Sequence, residues 1–323
     1  MRKTVLLIAF LGVLVNYSMS QADSHYSMFE YSEQAYNPGA AGANDAMCVT
    51  SIHRQQWVGV NLGPSGQSTG RPITTFFAFD MPINSIKSGI GLGIVQDIIG
   101  YQKDLYIKLN YAYRLKLDFG TLGIGIGLGL INRQIDPSAG WSSPSSLYGG
   151  GSVYNDPAIP HTGSIVALDL NFGVNITADK FWAGIALTHL NSPKINLATE
   201  MPSKLPAHLY IMGGYDYELP NPAFDLLFSG IVQSAGFTKP EFQLNAKLLY
   251  NKRFWGGVSY RFTDAIVPMI GLHLVNGLSI AYCYDIGLSG IGSYGSHEIM
   301  LRYCFNVAGG SKPTSSRTVR RLH

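Results

Sequence analysis

His297-Glu298 is the pair in this chain that most invites a catalytic reading, because a histidine followed by a glutamate opens the H-E-x-x-H zinc-hydrolase motif. That motif needs a second histidine four residues after the first, and Leu301 stands there. The residues around the pair alternate with a period of two, so they read as a strand, with Glu298 and Arg302 on its polar face and an ion pair between them expected. Gly123, Gly125, Gly127 and Gly129 have the wrong spacing for a dinucleotide-binding G-x-G-x-x-G, and no helix follows them. They read as a glycine-lined strand face, with room for a plug or a neighbouring segment. No Ser/His/Asp or Cys/His set is suggested by spacing, and no nucleic-acid motif is present. The three cysteines, Cys48, Cys283 and Cys304, lack metal-ligand spacing. Cys283 and Cys304 fall on the last two predicted strands and could be neighbours, although small strand residues are the simpler reading. Arg54, near Trp57, could contact a substrate, form a cation–π pair or pack in an interior. The expectation is a protein without catalysis, cofactor or metal.

The elements that must position these residues are clearest at 104–130. Leu105, Ile107, Leu109, Tyr111, Tyr113, Leu115 and Leu117 take the odd positions, while Asp104, Lys108, Asn110, Arg114, Lys116 and Asp118 take even ones. After a short turn, Ile124, Ile126, Leu128 and Leu130 alternate with the glycines. Each segment has one greasy face and one polar or empty face, and each has about the ten residues with which a tilted strand crosses a bilayer. Phe242, Leu244, Ala246, Leu248 and Tyr250 repeat the pattern against Gln243, Asn245 and Lys247. The same reading along the chain predicts about fourteen strands between residues 47 and 305.

The connections are sorted by length. Those after even-numbered strands are mostly short, whereas every long one (56–72, 133–162, 191–206 and 286–295) follows an odd-numbered strand. Outer-membrane barrels have this asymmetry, with short periplasmic turns and long extracellular loops, and a soluble β-sandwich has no reason to adopt it. Charged residues make up only 13% of the chain, against about a quarter in soluble proteins. Arg2 and Lys3, an apolar run at 5–15 and Ser18-Met19-Ser20 before Gln21 form a cleavable signal peptide over residues 1–20. Tyrosines and phenylalanines near strand ends, such as Tyr111, Tyr217, Tyr250 and Tyr303, fit interfacial girdles. The fold expected is an all-β, antiparallel, up-and-down outer-membrane β-barrel of about fourteen strands over residues 47–305. A periplasmic or lumenal segment at 21–46 precedes it and a basic tail at 306–323 follows, with both chain ends in the periplasm. Asp169, Lys108, Arg114 and Lys116 could line a pore and set its selectivity, or could form a closed network with residues 21–46 packed inside.

Several stretches resemble the PorP/SprF outer-membrane proteins of the type IX secretion system of Bacteroidetes. They are Asn37-Pro38 with Ala40-Ala41-Gly42, then Arg54-Gln55-Gln56-Trp57-Val58-Gly59, Ile99-Gly100, and Leu109-Asn110-Tyr111-Ala112-Tyr113-Arg114. Near the end of the chain come Tyr282-Cys283-Tyr284-Asp285, Gly295-Ser296-His297-Glu298-Ile299 and Leu301-Arg302-Tyr303. The positions taken from the resemblance as structural or interface residues are Asn37, Pro38, Gly42, Arg54, Gln56, Trp57, Tyr284, Asp285, Ser296, His297 and Glu298. The chain departs from the pattern in lacking a second aromatic-rich run near Ala40 and in its basic tail. The resemblance implies an outer-membrane component of a secretion and gliding apparatus, in contact with membrane lipid. It also implies partnership with periplasmic ring proteins, a peptidoglycan-binding linker or a surface adhesin. Lys312, Arg317, Arg320 and Arg321 in the tail, without an acid among the last eighteen residues, are candidates for docking such a partner. A passive porin or small-solute channel shares every physical feature above, and a soluble periplasmic β-protein is the third reading.

Overall fold

A computed structural model of the chain describes residues 23–59, 71–135, 163–195, 204–274, 277–288 and 295–305. The signal sequence, the basic tail and half or more of each long loop lie outside the described residues. The first seven strands are β1 Met47–Gln55, β2 Ile73–Ile83, β3 Ser88–Ile99, β4 Gln102–Leu117, β5 Gly120–Ile135, β6 Gly163–Ala178 and β7 Phe181–Thr188. The other seven are β8 His208–Glu218, β9 Phe224–Ala235, β10 Glu241–Tyr250, β11 Phe254–Arg261, β12 Ala265–His273, β13 Leu278–Gly287 and β14 Ser296–Phe305. Each pairs antiparallel with its neighbour in sequence, and β1 closes on β14 to complete a fourteen-strand barrel. Closure is what hydrocarbon demands, since an open edge would leave backbone N–H and C=O groups without partners. Among the described residues no helix is long and apolar enough to cross a membrane.

The alternation in the sequence becomes an inside-out distribution of polarity. On β4 Ile107, Leu109, Tyr111, Tyr113 and Leu115 point out, Leu109 being 58% exposed, while Asp104, Tyr106, Lys108, Asn110 and Arg114 are buried. On β6, Val166, Leu168, Leu170 and Phe172 are exposed and Asp169, Asn171 and Asn175 are buried. A soluble core would have the opposite arrangement. Tyr113, Tyr215, Tyr217, Tyr250, Tyr303 and Phe305 are exposed toward the short-turn end, as an interfacial girdle requires. Two prolines lie inside strands. Pro82 is one residue from the end of β2. Pro268 has no N–H for the ladder, and β12 and β13 are unpaired at Val267 and Pro268, between Ile266↔Ile286 and Met269↔Cys283.

The seam between β1 and β14 is stapled. Cys48 lies opposite Cys304 and the two form a disulfide, while Cys283 is a buried free thiol. Whether Cys283 and Cys304 pair, which the sequence left open, is thereby answered: they do not. Cys283 faces Glu298 across β13 and β14, six residues along β14 from Cys304, which is about 20 Å at the rise of a strand.

Residues 24–46 occupy the lumen, with short helical turns at Phe29–Tyr31, Glu33–Tyr36 and Pro38–Ala40. Almost all of them are buried. The segment starts beside the ends of β7 and β8 that carry a long loop, and reaches the short-turn end where β1 begins. The expectation that both chain ends lie on the short-turn side is therefore corrected. Phe305 is there, but Asp23 lies at the opposite end, because the segment threads the barrel instead of hanging below it. The glycine row of β5 makes this possible. A Cβ on Gly125 would come within 2.4 Å of the Gly39 nitrogen and the Pro38 carbonyl carbon, and one on Gly123 within 2.2 Å of the Gly39 oxygen. On β6, Gly173 leaves room for the Asn37 side chain in the same way, at 2.1 Å.

Gly125→Ala puts a methyl group where backbone already sits, and overpacking of this kind costs about 1–3 kcal/mol. Urea unfolding of the barrel in lipid vesicles is expected to show that loss. A change under about 0.5 kcal/mol, within the range of an ordinary surface substitution, would mean that the segment does not rest on β5.

Candidate functional site

The lumen is polar, so whatever fills it must match buried charge with charge. The strongest match lies beside the seam, where β1, β13 and β14 present Arg54, Asp285 and Glu298 on their inner faces. Arg54 reaches Asp285 Oδ2 at 2.6 Å and Glu298 Oε2 at 3.0 Å, with all three side chains almost wholly buried. Arg261 from β11 adds a second guanidinium, 3.2 Å from Asp285 Oδ2, so two positive and two negative groups face one another. The lumenal segment is bound into this set. The backbone N–H groups of Ser27 and Met28 each donate to Glu298 at 2.9 Å. The Ser27 hydroxyl accepts from Arg54 at 3.0 Å and from Arg261 at 2.7 Å, and lies 3.1 Å from Asp285. The fork geometry of arginine suits it to two carboxylates and a hydroxyl at once.

Further down, Glu30 pairs with Lys247 at 2.9 Å and accepts from Asn245 at 3.0 Å and from Ser229. Lys108 donates to the Ala35 carbonyl at 3.1 Å, Asn110 to the Gln34 carbonyl at 2.9 Å, and Arg114 pairs with Asp45. At the long-loop end, His189 stands between Asp23 and Asp169, 2.8 Å from each. Burial works against charge on this imidazole, and the two carboxylates outweigh it and raise its pKa to about 9. Burial likewise opposes the Asp23 carboxylate, but His189, His208 and Lys108 hold it well below the ordinary range. Above this layer the barrel opens into a vestibule of about 440 Å³, lined by Asp23, His25, Arg54, Trp57, Asp264 and Asp285 among others. Two voids deeper in the lumen are small, about 60 and 20 Å³.

Most residues that carry the family resemblance meet at these points. Arg54, Asp285 and Glu298 form the seam cluster. Gln56 and Trp57 rim the vestibule, Trp57 with φ +53° and its N–H 3.3 Å from the Ser296 hydroxyl. Asn37 caps the turn at Pro38–Ala40, accepting from Gly39 N–H at 2.8 Å and donating to the Val174 carbonyl at 3.1 Å. Gly42, at φ +72°, packs against Met81, Pro82 and Gly89. Tyr284 and His297 face the other way, stacked edge-on at 5.0 Å, with His297 bonded to the Tyr282 hydroxyl. His297 and Glu298 thus lie on opposite faces of β14, and share no chemistry.

The expected Glu298–Arg302 pair is corrected. Four residues along a strand span about 13 Å, too far for an ion pair. Arg302 instead lies over the Tyr31 ring at 5.8 Å and reaches the sulfurs of Cys48 and Cys304. Of the candidate pore residues, Lys108, Arg114 and Asp169 belong to the closed network with the segment, and Lys116 is exposed at the turn. The tail residues Lys312, Arg317, Arg320 and Arg321 lie outside the described residues. Sequence reasoning did not single out Ser27, Arg261, Asp23 or His189. For Arg261, the position on a polar strand face was the available signal. For the others only the segment's high share of polar residues hinted at a buried role.

The family described as Type IX secretion system membrane protein PorP/SprF matches residues 18–303. A search of curated proteins finds no match. Among solved structures, the fold is similar to the Acinetobacter baumannii outer membrane protein Omp33 at 6% identity and TM-score 0.45, over 81% of this chain and 100% of that one. It is also similar to the CymD monoaromatic hydrocarbon channel, at 10% identity and TM-score 0.46 over 86% and 93% of the two chains. The KdgM porin gives 9% identity and TM-score 0.35 over 80% and 99%. At these scores the likenesses carry no argument about what this chain does.

Replacing Arg54 by methionine leaves Asp285 and Glu298 buried with Arg261 as the one remaining guanidinium of the cluster, and breaking a buried pair from one side costs about 3–5 kcal/mol. Arg54→Met is expected to lower unfolding stability by that amount. Arg54→Lys is expected to recover only part of it, because a single ammonium cannot reproduce the fork. A loss below about 1 kcal/mol would show that the cluster does not hold the fold.

Proposed function

The chain belongs to the PorP/SprF family of type IX secretion system membrane proteins, and on that premise we propose that it serves the secretion and gliding apparatus as a plugged outer-membrane anchor. The barrel gives a fixed point in the lipid. Its short-turn end, from which β14 leads into the basic tail, is the docking face for periplasmic ring proteins, a peptidoglycan-binding linker or a surface adhesin in transit. In this reading the long loops face the outside and β14 ends on the periplasmic side, where residues 306–323 bring Lys312, Arg317, Arg320 and Arg321 without an acid.

The observation that supports an anchor over a channel is the filling of the lumen. Residues 24–46 take the place of the water column of a porin, and they do so with matched ion pairs and backbone hydrogen bonds instead of loose contact. Removing that segment would strand several charged groups, so it is a poor gate and a good plug.

Two measurements test this reading. The purified barrel in a planar bilayer is expected to show no steady ion conductance, whereas open, ohmic conductance that changes with charge substitutions at Lys108 or Arg114 would favour the porin. Deletion of residues 306–323 is expected to leave the barrel folded while reducing in-cell cross-linking to periplasmic partners and impairing secretion. Intact cross-linking and secretion after the deletion would remove the tail from the docking face.

A further inference from the structure

Tying the first described residue of the lumenal segment to the barrel wall takes three side chains whose arrangement goes beyond an ion pair. His208, at the start of β8, is 3% exposed. Its Nδ1 lies 3.0 Å from the Pro206 carbonyl, which can only accept, so the ring proton is on Nδ1 and the Nε2 lone pair is free. Nε2 is buried and has no hydrogen-bond partner among the described residues. A buried acceptor left without a partner is costly and calls for an explanation.

The neighbours supply one. His189 packs edge-on against His208, with ring centroids 5.4 Å apart. Its Nδ1 is held by Asp169 Oδ1 at 2.8 Å, and Asp169 is held in turn by Asn171 Nδ2 at 3.0 Å. Its Nε2 points at Asp23 Oδ1 from 2.8 Å. The other Asp23 oxygen accepts from the Tyr210 hydroxyl at 2.6 Å and from Thr188 at 3.3 Å. Two imidazoles therefore have their outer nitrogens fixed by a carboxylate and a backbone carbonyl, and a carboxylate is oriented by two hydroxyls. Metal-binding histidines are supported in this way. One ligand atom from each of Asp23, His189 and His208 lies within 4.8 Å of the others, where neighbours around a tetrahedral zinc with bonds near 2.0–2.1 Å are about 3.3 Å apart.

We propose that Asp23, His189 and His208 form a binding site for a divalent transition metal of the zinc type, which fastens the start of the lumenal segment to the barrel wall. Two nitrogens and one oxygen suit zinc better than calcium or magnesium, which take oxygen ligands, or copper(I), which takes sulfur. Asp23 also lines the vestibule, which gives the metal a way in and leaves a fourth position for water. On binding, the metal takes the place of the proton between His189 Nε2 and Asp23, and that proton is released to solvent. An ion pair between His189 and Asp23 alone would leave His208 Nε2 unexplained.

The test is a calorimetric titration of Zn²⁺ into the refolded full-length barrel in detergent, stripped beforehand with chelator. One equivalent is expected to bind. His208→Ala and His208→Gln should each weaken it at least about 100-fold, and Asp169→Asn about 10-fold through the lost support of His189. Heat-shifted gel mobility establishes that each variant is folded. No stoichiometric binding, or binding unchanged by both His208 variants, would overturn the site. Should neither variant fold, Co²⁺ added to the wild-type barrel decides. An intense visible band that Zn²⁺ displaces supports four- or five-coordinate binding here, and a weak octahedral spectrum overturns it.

Discussion

A guanidinium held between two carboxylates at the closing seam is the constraint on which this structure depends. Arg54, Asp285 and Glu298 come from the first strand and the last two, so the cluster forms only when the barrel has closed. It is also where the lumenal segment is gripped, through the backbone of Ser27 and Met28. Three events are thereby linked: closure of the sheet, burial of four charges, and entry of the segment. None is favourable alone, because an unclosed sheet exposes backbone to hydrocarbon and an unpaired charge in the lumen loses its solvent. The disulfide between Cys48 and Cys304 sits on the same seam, at the opposite end of the same two strands.

The rest of the lumen follows the same logic of complementarity. Outer faces are apolar because lipid is outside, so inner faces carry the polar residues. A polar cavity must then be filled by water or by a segment that satisfies it. Here the segment satisfies it twice over. Its charged residues find opposite charges on the wall, and its Asn37-Pro38-Gly39 turn lies on strands whose glycines leave backbone-to-backbone room.

Much of this was legible in the sequence, and the rest was not for a definite reason. Alternation states which face a residue takes, so the fourteen strands, the inverted polarity and the sorting of loops could all be read. The glycine row of β5 likewise announced an unfilled inner face. Alternation does not state which residue lies across the barrel. Glu298 was matched with Arg302 on its own strand because sequence shows only that strand, whereas its partner is Arg54, 244 residues away. Cys48 was passed over for the same reason, since only closure brings it opposite Cys304. The lumenal segment was least legible, for it has no periodicity of its own and takes its shape from the wall.

Hydrogen–deuterium exchange of the intact protein in lipid vesicles tests the central claim most directly, because it reads whether residues 24–46 reside in the lumen. If they do, the amides of Ser27 and Met28, bonded to Glu298, exchange as slowly as those of the flanking strands β1 and β14. Exchange of these amides at the rate of a free peptide, with the strands still protected, would contradict a plugged barrel.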